Sequence, residues 1–199
     1  ISIDYMYMKT SESDEIREDG QPILVMRDRR SKIVIVHVIE EKGAKEYAVK
    51  RLSQDLKLTG YRKIIFTSDN EPAIIALKQG VREMTSEMEI ICEESPVGES
   101  SSNGEVESVI KPVQGMVRTL KSAIGIRINQ KLMRDNVFIP WLIRHAASVM
   151  SKFIIGSDGM TAYRRLKGKE FKLSIAEFGE CVWYLKAKSA GVSKFDSRW

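Results

Sequence analysis

Residues 63–77 read KIIFTSDNEPAIIAL, and the fold turns on this stretch. Residues 63–67 are a short apolar run of strand character that delivers Ser68, Asp69 and Asn70 at its carboxyl end. Pro72 then opens the helical pattern Ile74, Ile75, Ala76, Leu77. Strand, polar turn and helix in that order form a building unit of α/β sheets. Upstream, residues 44–58 place Ala48, Leu52 and Leu56 at helical spacing and stop before Gly60. Before that helix come three apolar runs, residues 1–8, 23–26 and 33–39. Their connections are too short for helical crossovers, so three consecutive antiparallel strands are expected. Residues 10–20, acidic and poor in apolar side chains, read as a solvated loop.

Downstream, residues 88–92 read as a fifth short strand, and the Ser/Gly-rich residues 95–104 as a loop of the mobile kind. A long helix fits from Asn103, with Val106, Val109, Ile110, Val113, Val117, Leu120 and Ile124 on one face. Pro112 lies inside that pattern and is expected to kink it or weaken one turn. Another helix is expected over residues 140–155, a short turn at 161–166 and an isolated strand at 181–187. The order βββαβαβαα predicts an α/β fold of ribonuclease-H-like arrangement: a mixed five-stranded sheet flanked by helices, with a partial β extension at the C-terminal end. In it the fourth strand pairs beside the first, which makes neighbours of Asp4 and Asp69.

The 199 residues are 43% hydrophobic and 30% charged, a composition suited to one globular domain with a real core. No apolar run reaches the roughly 18 residues of a membrane span, and no signal-peptide pattern opens the chain, so neither membrane insertion nor secretion is expected. Cys92, Cys181, His37 and His145 are far apart, without zinc-ligand spacing, and neither a zinc module nor a disulfide framework is expected. Net charge is +5, unevenly spread: residues 1–100 carry 15 Lys and Arg against 19 Asp and Glu, and residues 101–199 carry 17 against 8. The basic half suits contact with a polyanion. The abrupt start at Ile1 and end at Trp199 read as those of a piece of a longer polypeptide.

Three carboxylates carry the candidate chemistry: Asp4 within the first strand, Asp69 after the fourth and Glu107 in the first turns of the long helix. Hard divalent cations favour carboxylate oxygens, and two such ions about 3.5 to 4 Å apart can hold the attacking and leaving oxygens of a phosphodiester. Each residue also has a plainer reading. Asp69 could cap the following helix, Asp4 could face solvent, and Glu107 is one of several nearby glutamates. At 100° per residue, Glu107 heads a row with Lys111, Gln114, Arg118 and Lys121, whereas Glu105 points away. That ridge suits a DNA backbone, or is an ordinary solvated face.

With these residues in place, the chain resembles the catalytic core of retroviral and LTR-retrotransposon integrases, the D,D,E recombinases. The matching stretches are Ile3-Asp4-Tyr5, Thr67-Ser68-Asp69-Asn70, and Ser102 to Ser108 (SNGEVES) at the start of the long helix. The 37 residues between Asp69 and Glu107 compare with a family spacing of about 35. The resemblance covers residues 1–168; residues 169–199 look like the connector and first part of a truncated C-terminal β module, expected to be poorly packed.

The resemblance implies a polynucleotidyl transferase with nuclease activity, trimming the 3′ ends of retroelement DNA and joining them to target DNA. By position, Asp4, Asp69 and Glu107 would be both the catalytic residues and the ligands of two Mg²⁺ or Mn²⁺ ions. Asn70 and Asn103 would shape the site, and Lys111, Gln114, Arg118 and Lys121 would bind DNA. The implied partners are element-end DNA, target DNA and further copies of the chain, as a dimer or higher multimer. A cytoplasmic particle and then the nucleus are the implied setting. Glu71-Pro72 stands where many members have glycine, and the family's N-terminal zinc domain is absent from this fragment, which implies little or no concerted integration by it alone. Rival readings are a related nuclease or transposase, or a decayed or domesticated domain that only binds nucleic acid. His145 reads as a partly buried packing residue, Cys92 and Cys181 as reduced and structural, and Trp141 as core or dimer-interface packing.

Overall fold

The computed structural model describes residues 1–8, 20–94, 103–133 and 135–184. Most of the two expected loops, residues 10–20 and 95–104, lies outside them. Five strands, β1 (Ser2–Met6), β2 (Ile23–Arg27), β3 (Val34–Val38), β4 (Lys63–Ser68) and β5 (Glu89–Glu94), form one sheet in the order β3-β2-β1-β4-β5. The β1–β2 and β2–β3 pairs are antiparallel, while β1–β4 and β4–β5 are parallel. A parallel neighbour is reached only by a crossover, and the helices α1 (Glu46–Thr59) and α2 (Pro72–Met84) provide the two that are needed. Helices α3 (Gly104–Ile128), α4 (Ile139–Phe153) and α5 (Ala162–Lys167) follow. The mixed α/β sheet with the fourth strand beside the first is the arrangement expected from the sequence.

Side-chain alternation sorts the core into two layers. Ile3, Tyr5, Leu24, Met26 and Phe66 face α1 and α2, packing on Leu52, Leu56, Ile74 and Leu77. Met6, Ile23, Val25, Val34 and Val36 face α3 and α4, packing on Val109, Val113, Leu142 and Ala146. Asp4 has the parity of Met6, and so stands on the α3 side of the sheet. Helix α3 runs unbroken through Pro112, which is exposed, while Val109 and Val113 on either side of it are buried. Packing of that apolar stripe compensates the one backbone bond a proline removes.

At Val34 the edge of the sheet on β3 is covered by a side chain. Ser151 of α4 accepts a hydrogen bond from the Val34 N–H at 3.0 Å and donates one to the Val34 carbonyl at 3.1 Å. Ser151→Ala leaves both backbone groups buried without that partner, and is expected to lower stability by about 1 to 3 kcal/mol in urea titration. A change below about 0.3 kcal/mol contradicts this role.

Two expectations are corrected and one, for Trp141, is narrowed. Residues 181–184 form no strand, and among the described residues no neighbouring strand takes up their backbone bonds; Trp183 and Tyr184 are exposed, and residues 185–187 lie outside the described residues. Of the two readings of Trp141, core or dimer-interface packing, the first is excluded: it is 67% exposed and borders a hollow of about 710 Å³ with Ile128, Phe138 and Phe178. Cys92 and Cys181 are free thiols as expected, yet both are exposed and neither fills a core. His145 is partly enclosed against the Phe178 ring, 5.2 Å away, and burial followed by the charge of Lys152 lowers its pKa. Phe171 packs edge-on against Phe153 and Tyr163. No helix among the described residues is long and apolar enough to cross a membrane.

Candidate active site

The register of β1 and β4 brings the first two carboxylates together. Ser2 pairs with Thr67, and their hydroxyls are 2.7 Å apart. Asp4 and Asp69 each lie two residues beyond this pair, Asp4 within β1 and Asp69 just past the end of β4. Asp69 follows the last residue of β4 and is not the helix cap: Glu71 holds the N-cap position of α2, and its N–H donates to Asp69 Oδ1 at 3.3 Å. Asp4 is half-buried, with Oδ1 accepting the N–H of Tyr5 at 2.7 Å.

The third element is the start of α3. Asn103, 3% exposed, directs its amide nitrogen to the carbonyl of Ile3 at 3.4 Å, which fastens the beginning of the helix to the strand residue just before Asp4. Its Oδ1 is buried and has no hydrogen-bond partner among the described residues. Glu107 follows one turn later and is exposed.

Of the three carboxylates, Asp4 has the shifted pKa. The Asp4 carboxyl is pushed up to about 6, first by burial; the Tyr5 N–H opposes this, and the charges of Asp69, Glu107 and Glu71 push the same way as burial. A carboxylate raised by burial and by three others is more easily ionised when positive charge stands beside it. Glu71 is balanced separately by Lys42 at 2.9 Å, whose ammonium lies 5.3 and 5.4 Å from the ring centres of Tyr5 and Tyr7. The donors are all hard oxygens, and in chemical type they fit Mg²⁺ or Mn²⁺. Among the described residues, however, no three His, Cys, Asp or Glu side chains are drawn close enough to form a ready ligand cluster.

Along α3, Lys111 and Arg118 are exposed and Lys121 is partly so. Gln114 donates its amide to the Tyr7 carbonyl at 3.0 Å, and thereby ties the middle of the helix to the end of β1. Asn70 is exposed on the turn after Asp69. The residue that sequence reasoning set aside is Glu105. It is the more enclosed of the two glutamates, paired with Arg27 and Lys32. Burial raises its pKa, and the hydrogen bonds from Lys32 and Arg27 outweigh that and leave it lowered. Nothing in the spacing announces partners that lie 78 and 73 residues away.

Against solved structures, the fold is ribonuclease-H-like, and more narrowly it is that of a retroviral integrase catalytic core. The catalytic core domain of BIV integrase matches with a TM-score of 0.58 at 17% identity, over 84% of this chain and 92% of that one. The HTLV-2 integrase catalytic core, in complex with magnesium in a trimeric form, matches with a TM-score of 0.55 at 15% identity, over 83% and 93%. A simian T-cell lymphotropic virus intasome in complex with the PP2A regulatory subunit B56 gamma matches with a TM-score of 0.59 at 16% identity, over 94% of this chain and 59% of that one. No family model matches the sequence, and no curated protein matches it. What is shared at these identities is the fold.

Proposed function

We propose that the chain is the catalytic core of an integrase-type polynucleotidyl transferase, which trims the 3′ ends of retroelement DNA and joins them to target DNA. The observation that supports this reading is the parallel pairing of β1 with β4, which carry Asp4 and lead into Asp69, together with the raised carboxyl of Asp4, to which Asp69 and Glu107 contribute after burial. These three residues would hold two divalent cations. When bound, such ions supply charge neutralisation of the phosphoryl oxygens at both the attacking and the leaving position. The chain's own residues do the rest. Asn103 fixes the start of α3 beside β1, and Gln114 keeps the helix against the end of that strand. Lys111, Arg118 and Lys121 neutralise DNA phosphates, so binding weakens steeply as salt rises. Further copies of the chain and the two DNAs are the proposed partners, with the nucleus as the place of joining.

A second reading is a non-catalytic nucleic-acid-binding domain. It draws on the lack, among the described residues, of a ready three-ligand cluster. One assay separates the two. Labelled duplex oligonucleotides with recessed element-type ends are incubated with the protein and Mn²⁺ or Mg²⁺, and joined products are resolved. Cation-dependent joining by the wild type that falls at least about a hundredfold in Asp69→Asn supports catalysis, since changes one shell outside a metal site already cost 10- to 100-fold. Equal joining by both proteins refutes the assignment of Asp69, and DNA binding without any joining favours the second reading.

A further inference from the structure

Helix α3 starts without the local device that usually fixes a helix N-terminus. Its N-cap residue, Asn103, makes no side-chain capping bond and spends its amide on the Ile3 carbonyl instead. The first turn is therefore located by tertiary bonds, and Glu105 makes the strongest set of them. Arg27 Nε donates to its Oε1 at 3.2 Å, and Lys32 Nζ donates to Oε1 at 2.9 Å and to Oε2 at 2.8 Å. The pair is largely enclosed, with side-chain exposures of 18% for Arg27 and 21% for Glu105.

The other end of this latch is rigid. Arg27 ends β2, and Lys32 lies in the turn from β2 to β3 at φ 64°, a left-handed conformation that residues other than glycine seldom adopt. The turn is held by Asp28, 3% exposed, whose carboxylate accepts the Ser31 N–H, the Ser31 hydroxyl and the Tyr61 hydroxyl. The Lys32 N–H donates to the Asp28 carbonyl at 2.8 Å, and Arg165 of α5 donates to the Ser31 carbonyl at 3.4 Å. A braced turn thus grips the first turn of α3 two residues before Glu107.

We propose that Glu105 is a positioning residue: the Arg27–Glu105–Lys32 ion pair sets where the first turn of α3 stands, and through it where the Glu107 carboxylate meets Asp4 and Asp69. The inference rests on the proposed function, which gives Glu107 its role. A helix turns 100° per residue, so slack in the first turn moves Glu107 directly. Displacements of about 1 Å at a catalytic group cost on the order of 10²-fold in rate.

The test uses the 199-residue chain and the variants Glu105→Ala, Glu105→Gln, Lys32→Ala and the double variant Glu105→Ala/Lys32→Ala. Glu87→Ala, which removes an exposed ion pair to Lys57 elsewhere, is the control. Amide hydrogen exchange at residues 106–109 is expected to quicken up to about fivefold in the Glu105 variants, the size of effect such a pair can have. Mn²⁺ affinity by calorimetry and the kcat of DNA joining are each expected to fall about tenfold, with the KM for DNA unchanged. The double variant should behave like Glu105→Ala alone, because both changes break one interaction. Faster exchange with wild-type Mn²⁺ affinity and kcat would make the pair merely structural and overturn the proposal, as would unchanged exchange. A wild type that neither binds Mn²⁺ nor joins DNA is a different result, and refutes the proposed function itself.

Discussion

Asp4→Asn is expected to stabilise the cation-free protein while removing its activity. The wild-type carboxyl is raised from 3.8 to about 6 by burial and by Asp69, Glu107 and Glu71. A carboxyl whose folded pKa lies above its unfolded value favours folding only while it stays protonated. Below about pH 4 the group is protonated in both states and the variant gains nothing. Between about pH 4 and 6 the unfolded chain ionises first, and the wild type loses stability relative to the variant; above about pH 6 the difference is constant. The full shift corresponds to about 3 kcal/mol, and screening at a half-exposed group reduces that to about 1 kcal/mol. Urea titrations of both proteins at pH 4 and pH 7.5, with chelator present, read the difference. Joining by the variant is expected to fall by at least about a hundredfold. A variant less stable than wild type at pH 7.5 contradicts the account of Asp4 as a strained carboxylate, since removing a merely structural aspartate costs stability. The opposition of stability and activity is the signature of a functional site.

The second large effect is on the scaffold. Phe66 is fully buried on β4, three residues before Asp69, between the sheet and the α1–α2 layer. Phe66→Ala leaves a cavity there and is expected to cost about 3 to 5 kcal/mol, read as a lower urea midpoint at unchanged slope. That is a large part of the stability of an ordinary domain. A loss below about 1 kcal/mol contradicts the packing described for β4.

The particular residues show why some features were legible in sequence and others were not. Period-two and period-3.6 patterns name the faces of β1, β4 and α3, because burial itself writes those patterns. The stripe of Val106, Val109, Val113 and Val117 was readable even across Pro112, since packing outweighs one missing backbone bond. The pairing of β1 with β4 followed from strand order, and it puts the strands that carry Asp4 and lead into Asp69 side by side. The latch on Glu105 was not legible, because its partners come from a turn more than 70 residues away. Helical spacing gave the direction of Glu105 relative to Glu107 and nothing about what stood there. Trp141 stayed open between core and interface packing for a related reason: an aromatic residue at a helix start carries no mark of whether a neighbour covers it, and in this chain it lies largely open. The apolar run at residues 181–187 has strand composition, but a strand is made by its partner, and residues 181–184 have none among the described residues.

The central claim is that Asp4, Asp69 and Glu107 act as one metal site. Calorimetric titration of Mn²⁺ into the cation-free protein, with Asp4→Asn, Asp69→Asn and Glu107→Gln in parallel, tests it most directly. The wild type is expected to bind Mn²⁺, and each variant to lose at least about tenfold in affinity, because each removes one charged oxygen ligand from the same site. Wild-type affinity in all three variants, or Mn²⁺ binding that survives their combination, contradicts the claim.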